Sequence, residues 1–187
     1  MIRFVCFDWG NTLMSEDGGP DDIPMARWPQ VAVVDGAREV LEILARSYTI
    51  CVATNATVSG PADIELALEC GGLRSFVSRI FCFDEIGARK DSPRFWAAVM
   101  STLGASAEEI VMVGDSFEHD VRGPTRCGIQ AIWFDRHGVG SAGGDASVKG
   151  DASVGGVAVP TARHLLEVPR LLGSLRPPGT ASRRSDS

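Results

Sequence analysis

Polar and charged side chains follow four apolar runs of this 187-residue chain, each close to the point where the run ends. They are Asp8, Thr54 with Asn55, Lys90, and Asp115 with Asp120. Two or three carboxylates held together attract a hard cation such as Mg²⁺. A lysine and a hydroxyl group beside them suit a phosphoryl group. These residue types therefore favour a site for a divalent cation and a phosphorylated ligand.

Five short apolar runs predict the strands that must position these residues. They are Ile2–Phe7, Tyr48–Ala53, Arg79–Phe83, Ile110–Val113 and Gln130–Phe134. The runs do not alternate with polar residues, which is typical of parallel strands that are covered on both faces. Because the carboxyl ends of parallel strands lie at one edge of a sheet, we expect the polar residues to meet there.

Amphipathic helical patterns lie between the predicted strands. They cover Gly36–Arg46, Pro61–Cys70, Ser92–Leu103 and a segment from about Asp120 to Gly128. Strands that alternate with helices predict an α/β fold. We expect a Rossmann-like three-layer αβα sandwich around a five-stranded parallel sheet.

The domain organisation follows from the stretches that fit neither pattern. We expect one domain over residues 1–173, with a lid-like loop at 14–30 that holds three prolines. Residues 137–156 contain the sequence GDASV twice, which predicts a flexible low-complexity insertion. Thr161–Leu172 is amphipathic and is expected to dock on the sheet. Residues 174–187 are predicted to be a disordered tail.

The composition excludes several classes of protein. The net charge of 18 − 24 = −6 and the presence of only two lysines, Lys90 and Lys149, argue against nucleic-acid binding. No apolar run approaches the roughly 20 residues that a membrane span needs, so we expect no membrane partner. The five cysteines form no CxxC pair, which favours free thiols and a cytoplasmic location.

From about Ile2 to Arg136 the chain resembles the haloacid dehalogenase superfamily of phosphotransferases and hydrolases. Its four motifs occur in order, each after a predicted strand. They are DWGNT at Asp8, ATN at Thr54, the lysine of RKDSP at Lys90, and GDSFEHD, which holds Asp115 and Asp120 and is followed by GPTRCGI. Each motif alone is weak evidence, whereas the ordered set is specific.

The resemblance implies a role for each matching residue. Asp8 would be the nucleophile and form an aspartyl-phosphate. Mg²⁺ would bind Asp8, Asp115 and the backbone carbonyl of Gly10. Asp120 would complete this metal site by orienting a metal-bound water or Lys90.

The remaining motif residues would hold the phosphoryl group. Thr54 and the backbone amide of Asn55 would bind its oxygens, and Lys90 would neutralise its charge. Thr12 and Ser116 would support the site. The implied substrate is a phosphorylated small molecule or a phosphorylated macromolecule.

The first motif departs from the usual phosphatase pattern D-x-D-G-T. Gly10 replaces the second aspartate, which acts as the general acid and base, and Asn11 replaces the usual glycine. General acid catalysis typically contributes 10²–10⁴-fold. Alkyl phosphate esters should therefore be poor substrates, and good leaving groups should be favoured, unless another acid acts. The acidic or imidazole side chains expected near the site are Glu16, Asp17, Asp21, Asp22 and His119.

These observations predict a Mg²⁺-dependent hydrolase, in particular a phosphatase of monoesters or anhydrides. One alternative is a protein that binds phosphorylated metabolites without turnover. A haloacid dehalogenase also lacks the second aspartate, but it needs no metal and its fourth motif differs. A phosphonoacetaldehyde hydrolase needs a cap-domain lysine, and Lys149 in the low-complexity stretch is the only lysine besides Lys90.

Overall fold

The computed structural model describes residues 1–138 and 153–175. Its strands are β1 (Phe4–Phe7), β2 (Met14–Ser15), β3 (Ala32–Val33), β4 (Thr49–Thr54), β5 (Val77–Cys82), β6 (Ile110–Gly114), β7 (Gln130–Phe134), β8 (Ser153–Val154), β9 (Val157–Ala158) and β10 (Thr161–Ala162). Its α-helices are α1 (Ala37–Leu44), α2 (Pro61–Cys70), α3 (Phe83–Ile86), α4 (Pro93–Leu103), α5 (Gly123–Arg126) and α6 (Val168–Ser174). The chain therefore has the predicted α/β composition.

The main sheet has six parallel strands in the order β10-β7-β6-β1-β4-β5. The prediction of five strands is wrong because β10 adds a sixth at the edge. Thr161 and Ala162 pair with Trp133 and Phe134 of β7. A strand of two residues is too short to show any periodicity, so the sequence predicted only that this segment would dock.

Helices cover both faces of the sheet and form the outer layers of a three-layer sandwich. Val5 and Phe7 of β1 point to a core that contains Leu41 of α1 and Leu68 of α2. The alternate residues of β1 belong to a second core with Phe95 of α4. This alternation is the two-residue period of a strand, and both faces are apolar because both are covered.

The strand order places the predicted site at the middle of the sheet. β1 is central, and Phe7 at its end pairs with Val52 of β4 on one side and with Val113 of β6 on the other. The chain moves outward from β1 in both directions, and ligands bind at such a switch point beyond the carboxyl ends of the strands. Asp8, Asp115 and the end of β4 therefore lie side by side.

The predicted lid-like loop at 14–30 contains regular structure. β2 pairs antiparallel with β3, and Met25–Arg27 forms a turn of 3₁₀-helix. Met25 is buried in the core, whereas Ile23 is exposed and its carbonyl accepts a hydrogen bond from the indole of Trp28 at 2.9 Å. The segment between β1 and α1 is thus held by one strand pair and by the burial of Met25.

Two predicted irregular segments fall mostly outside the described residues. Residues 139–152 of the low-complexity insertion and residues 176–187 of the tail lie there. The described end of the insertion contains β8, which pairs with β9 in a small hairpin.

The helix predicted near Asp120 begins earlier, as a π-helical turn over Phe117–Arg122 that leads into α5. None of the helices that the structure describes is both long and apolar enough to span a membrane.

Candidate active site

Asp8 lies directly beyond the central strand and is held from both sides. Its backbone N–H donates to the carbonyl of Val113 at 2.8 Å, which ties it to the end of β6. The hydroxyl of Thr12 lies 3.4 Å from Asp8 Oδ2 and 3.4 Å from Asp115 Oδ1. Thr12 is completely buried. It therefore connects the two carboxylates from behind the site.

Lys90 is buried and forms ion pairs with two carboxylates. Its Nζ contacts Asp8 Oδ1 and lies 2.6 Å from Asp120 Oδ1. The loop that carries it is held at its backbone, because the N–H of Lys90 donates to Asn55 Oδ1 at 2.8 Å and its carbonyl accepts from the indole of Trp96 at 2.6 Å. Burial alone lowers the pKa of Lys90, but Asp120 and Asp8 outweigh it and raise the pKa above its ordinary value.

The last residue of β4 supplies a hydroxyl group, and the residue after it supplies an amide. The backbone N–H of Ala56 donates to Thr54 Oγ1 at 3.1 Å, which holds the turn that follows the strand. Thr54 is buried, and Asn55 lines the same cavity while its side chain anchors the Lys90 loop. The end of β4 thus places a hydroxyl group beside the cavity, and Asn55 holds the loop from which Lys90 contacts Asp8.

Asp120 is enclosed by the protein rather than by solvent. Its Oδ2 accepts the backbone N–H of Ser116 at 2.9 Å, and its Oδ1 pairs with Lys90. A Cβ atom on Gly114 would lie 2.3 Å from Asp120 Oδ2, so only glycine at the end of β6 leaves room for this carboxylate. These contacts make Asp120 a partner of Lys90, and its carboxylate also belongs to the acidic cluster.

The acidic cluster is short of positive charge. Oxygens of Asp8, Asp115 and Asp120 lie within 4.8 Å of one another, and Lys90 is the one lysine or arginine among the described residues that line the cavity. Burial and the charge of Asp8 raise the pKa of Asp115 to about 6. Burial raises the pKa of Asp120 to about 7, although Lys90 opposes the shift. Hard carboxylate oxygens that repel one another in this way fit a divalent cation such as Mg²⁺.

These side chains surround one cavity of about 270 Å³ at the carboxyl edge of the sheet. Every predicted site residue lines it except Thr12, which lies behind Asp8 and Asp115. A second cavity of about 220 Å³ adjoins it and shares Trp9, Glu16, Asn55 and Ala56 with it. The 14–30 segment forms a wall of this second cavity through Ile23, Met25 and Trp28, among other residues.

The side chains predicted near the site as possible acids differ in their surroundings. Asp17 faces away and pairs with Arg136 at 3.1 Å; hydrogen bonding from Ser15 and the charge of Arg136 lower the pKa of Asp17. Asp21 and Asp22 are exposed, and Asp21 lines only the second cavity. His119 and Glu16 line the main cavity together with Asp8.

Sequence reasoning missed the two tryptophans that hold the site loops. The indole of Trp96 donates to the carbonyl of Lys90, and the indole of Trp133 donates to the carbonyl of Asp115 at 2.9 Å. Both tryptophans lie in apolar stretches of the sequence, and such stretches give no sign of a polar contact. Tryptophan usually finds a hydrogen-bond partner for its N–H when it is buried, and this rule is the signal that indicates such contacts from sequence.

Comparisons with known proteins identify the family. Residues 25–128 match the family model of the haloacid dehalogenase-like hydrolases. The chain is 32% identical over 108 residues to ribulose-1,5-bisphosphate 5-phosphatase of Halopiger xanaduensis, an alignment that covers 57% of this chain and 44% of the relative. It is 33% identical over 92 residues to phosphoserine phosphatase of Thermus thermophilus, an alignment that covers 49% of this chain and 35% of that relative.

A solved structure shows the same fold over nearly the whole chain. An uncharacterized protein from Listeria monocytogenes serotype 4b superposes with a TM-score of 0.76 at 24% identity, over 92% of this chain and 98% of that protein. By contrast, the chain spans less than half the length of the two phosphatases. The predicted family is confirmed by the match over residues 25–128, which is more than half of the chain.

Proposed function

Because the chain belongs to the haloacid dehalogenase-like hydrolase family, we propose that it is a phosphatase that transfers a phosphoryl group first to Asp8 and then to water. One observation carries the proposal. The carboxylate of Asp8, at the end of the central strand, pairs with buried Lys90 in a cavity that also holds the carboxylates of Asp115 and Asp120. This arrangement suits a nucleophile that attacks a phosphorus atom whose charge must be neutralised.

The reaction would proceed in two displacements at Asp8. A carboxylate oxygen of Asp8 forms a bond to phosphorus while the bond from phosphorus to the leaving oxygen breaks, and the bonding electrons depart with that oxygen. Water then attacks the aspartyl-phosphate, which releases inorganic phosphate and restores the carboxylate. Lys90 stabilises the negative charge on Asp8 and on the phosphoryl oxygens, and the Thr54 hydroxyl binds one of those oxygens.

The acidic cluster supports a role for Mg²⁺. Asp8, Asp115 and the backbone carbonyl of Gly10 would hold the ion, with Asp120 beside them as the partner of Lys90. When bound, the ion would neutralise charge on the phosphoryl group and orient it toward Asp8. Three carboxylates face a single ammonium group, so the site lacks positive charge, and a divalent cation would supply it. A haloacid dehalogenase, which needs no metal, gives no reason for this excess of carboxylates.

The substrate is proposed to be a small phosphorylated molecule. Both matched relatives are phosphatases by name, of a sugar bisphosphate and of an amino acid phosphate. A phosphorylated macromolecule is the alternative. The five cysteines are free, which supports the proposed cytoplasmic location.

The test is hydrolysis of acetyl phosphate and p-nitrophenyl phosphate by the purified chain, with Mg²⁺ or with a chelator. We expect phosphate release only with Mg²⁺, and its loss in Asp8→Asn, which is nearly isosteric and keeps the fold. Asp22→Asn is the matched control because Asp22 is exposed and lines neither cavity. Phosphate binding by the wild type with no turnover of either substrate would instead favour the protein that binds without catalysis.

A further inference from the structure

Gly10 leaves a space beside the nucleophile that the carboxylate of Glu16 fills. A Cβ atom built on Gly10 would lie 2.3 Å from Glu16 Oε1 and 2.6 Å from Glu16 Cδ. The backbone does not require glycine here, because Gly10 is not among the residues with positive φ. The carboxylate of Glu16 therefore occupies the space that a side chain at position 10 would enter.

Asn11 holds this carboxylate in place. Asn11 Nδ2 donates to Glu16 Oε2 at 2.8 Å, and the backbone N–H of Glu16 donates to Asn11 Oδ1 at 3.3 Å. Asn11 has a φ of 56°, a left-handed conformation that asparagine adopts more readily than most residues other than glycine. Asn11 therefore keeps the tight turn after β1 and adds an amide group that binds Glu16.

The departing oxygen of an alkyl phosphate needs a proton, and few groups in the cavity can supply it. Asp8 is the nucleophile, and Asp115 and Asp120 belong to the acidic cluster. Lys90 is a poor acid because two carboxylates stabilise its charged form. Of the titratable side chains that line the cavity, Glu16 and His119 remain.

Glu16 is the better placed of the two. It borders both the cavity that holds Asp8 and the adjoining one, so its carboxylate lies where a leaving group would pass from one to the other. The Nδ1 atom of His119 is closed off from solvent and has no hydrogen-bond partner among residues 1–138 and 153–175. Nδ1 therefore cannot reach a substrate in the cavity, which leaves Nε2 as the one ring nitrogen of His119 that could, and the variants below distinguish it from Glu16.

We propose that Glu16 is the general acid and base of this phosphatase and that Asn11 is its positioning residue. The inference rests on the proposed function, since it concerns the same reaction at Asp8. The geometry that carries it is the position of the Glu16 carboxylate, which fills the space at Gly10, lines the cavity that holds Asp8 and accepts a hydrogen bond from Asn11.

The proton follows a balanced path. As Asp8 attacks phosphorus and the bond to the leaving oxygen breaks, that oxygen takes the proton of Glu16 and leaves as an alcohol. Glu16 is then a carboxylate. When water attacks the aspartyl-phosphate, Glu16 accepts a proton from that water. The bond between Asp8 and phosphorus breaks, which releases phosphate and restores the Asp8 carboxylate. Glu16 is therefore protonated again at the end of the turnover.

The test compares kcat/KM for p-nitrophenyl phosphate, phenyl phosphate and alkyl phosphates in the wild type and in Glu16→Gln. The amide keeps the size and the contact with Asn11 but cannot donate the proton. We expect a loss of about 10²-fold or more on alkyl phosphates and a much smaller loss on p-nitrophenyl phosphate, since general acids contribute that much to poor leaving groups. Asp17→Asn is the matched control, because it removes the neighbouring carboxylate, which faces Arg136 instead.

Two further variants test the space that Gly10 leaves and the positioning of Glu16 by Asn11. Gly10→Asp combined with Glu16→Ala moves the carboxylate to position 10 and should recover most of the alkyl phosphatase activity that Glu16→Gln loses. Asn11→Gly keeps the left-handed turn but removes the amide, and should also steepen the dependence of kcat/KM on leaving-group pKa.

Specific outcomes overturn the inference. An equal loss on all substrates in Glu16→Gln, or no loss, would show that Glu16 donates no proton. A selective loss on alkyl phosphates in His119→Gln but not in Glu16→Gln would assign the proton to His119. Hydrolysis of p-nitrophenyl phosphate by the wild type keeps these failures distinct from a failure of the proposed function, which would abolish that activity as well.

Discussion

Replacing Asp115 by Asn is expected to stabilise the metal-free protein, although it removes a metal ligand. Burial and the charge of Asp8 raise the pKa of Asp115 from 3.8 to about 6. The folded state therefore binds the proton more tightly than the unfolded state does, and the stability of the wild type falls as the pH rises between these two values. At pH 8 the whole shift acts against folding, which corresponds to about 3 kcal/mol as an upper value, since one pKa unit is worth about 1.36 kcal/mol.

Asparagine does not ionise, so the variant avoids this penalty. In a chelator at pH 8 we expect its melting temperature to exceed that of the wild type by several degrees, since 1 kcal/mol shifts a domain of this size by about 2–4 °C. At pH 5 the difference should shrink to about half, because the wild type is then partly protonated. Adding Mg²⁺ should narrow the difference at pH 8, because ten times its Kd stabilises the wild type by about 1.4 kcal/mol and the variant by much less.

Differential scanning calorimetry at the two pH values, with chelator and with Mg²⁺, provides the measurement. Asp22→Asn is the control, because Asp22 is an exposed carboxylate outside the cluster. The reasoning is refuted if Asp115→Asn melts at or below the wild-type temperature in chelator at pH 8. It is also refuted if the gain of stability with Mg²⁺ is the same in both proteins.

Two further predictions concern the support of Lys90. Gly123→Ala should lower the free energy of unfolding, measured by urea titration, by about 1–3 kcal/mol and should reduce activity, because the new Cβ would lie 2.5 Å from the carbonyl oxygen of Lys90. Gly173→Ala is the control: Gly173 has open space around it in α6, so this variant should be neutral or stabilising in the same titration. Trp96→Phe should cost about 1–3 kcal/mol by leaving the Lys90 carbonyl without its donor, and full stability and activity in this variant would show that the hydrogen bond is dispensable.

The sequence predicted the parts of the fold and site that depend on local pattern. β7 and α2 have the predicted bounds, since a continuous apolar run and a capped amphipathic stripe each record burial directly. The site residues could be anticipated because parallel strands end at a common edge. Asp8 and Asp115 needed only their positions after two apolar runs to be placed together.

The remaining features depend on contacts between distant or exposed segments. The pairing of Thr161 with Trp133 adds an edge strand that no two-residue pattern can predict. Glu16 lies in a polar loop where a solvated charge is the usual expectation. The role proposed for it depends on the turn at Asn11, which has a left-handed conformation and donates a hydrogen bond to Glu16, and no local sequence pattern indicates that contact.

The most direct test of the account is whether Asp8 becomes phosphorylated. The wild-type chain would be mixed with acetyl phosphate and Mg²⁺, quenched in acid within milliseconds, digested and examined by mass spectrometry for a phosphoryl group on the peptide that contains Asp8. We expect the modified peptide to appear before phosphate release reaches its steady rate, and to be absent without Mg²⁺. The proposed mechanism would be contradicted if acetyl phosphate were turned over with no modification of Asp8 at any time. It would also be contradicted if Asp8→Asn retained full activity.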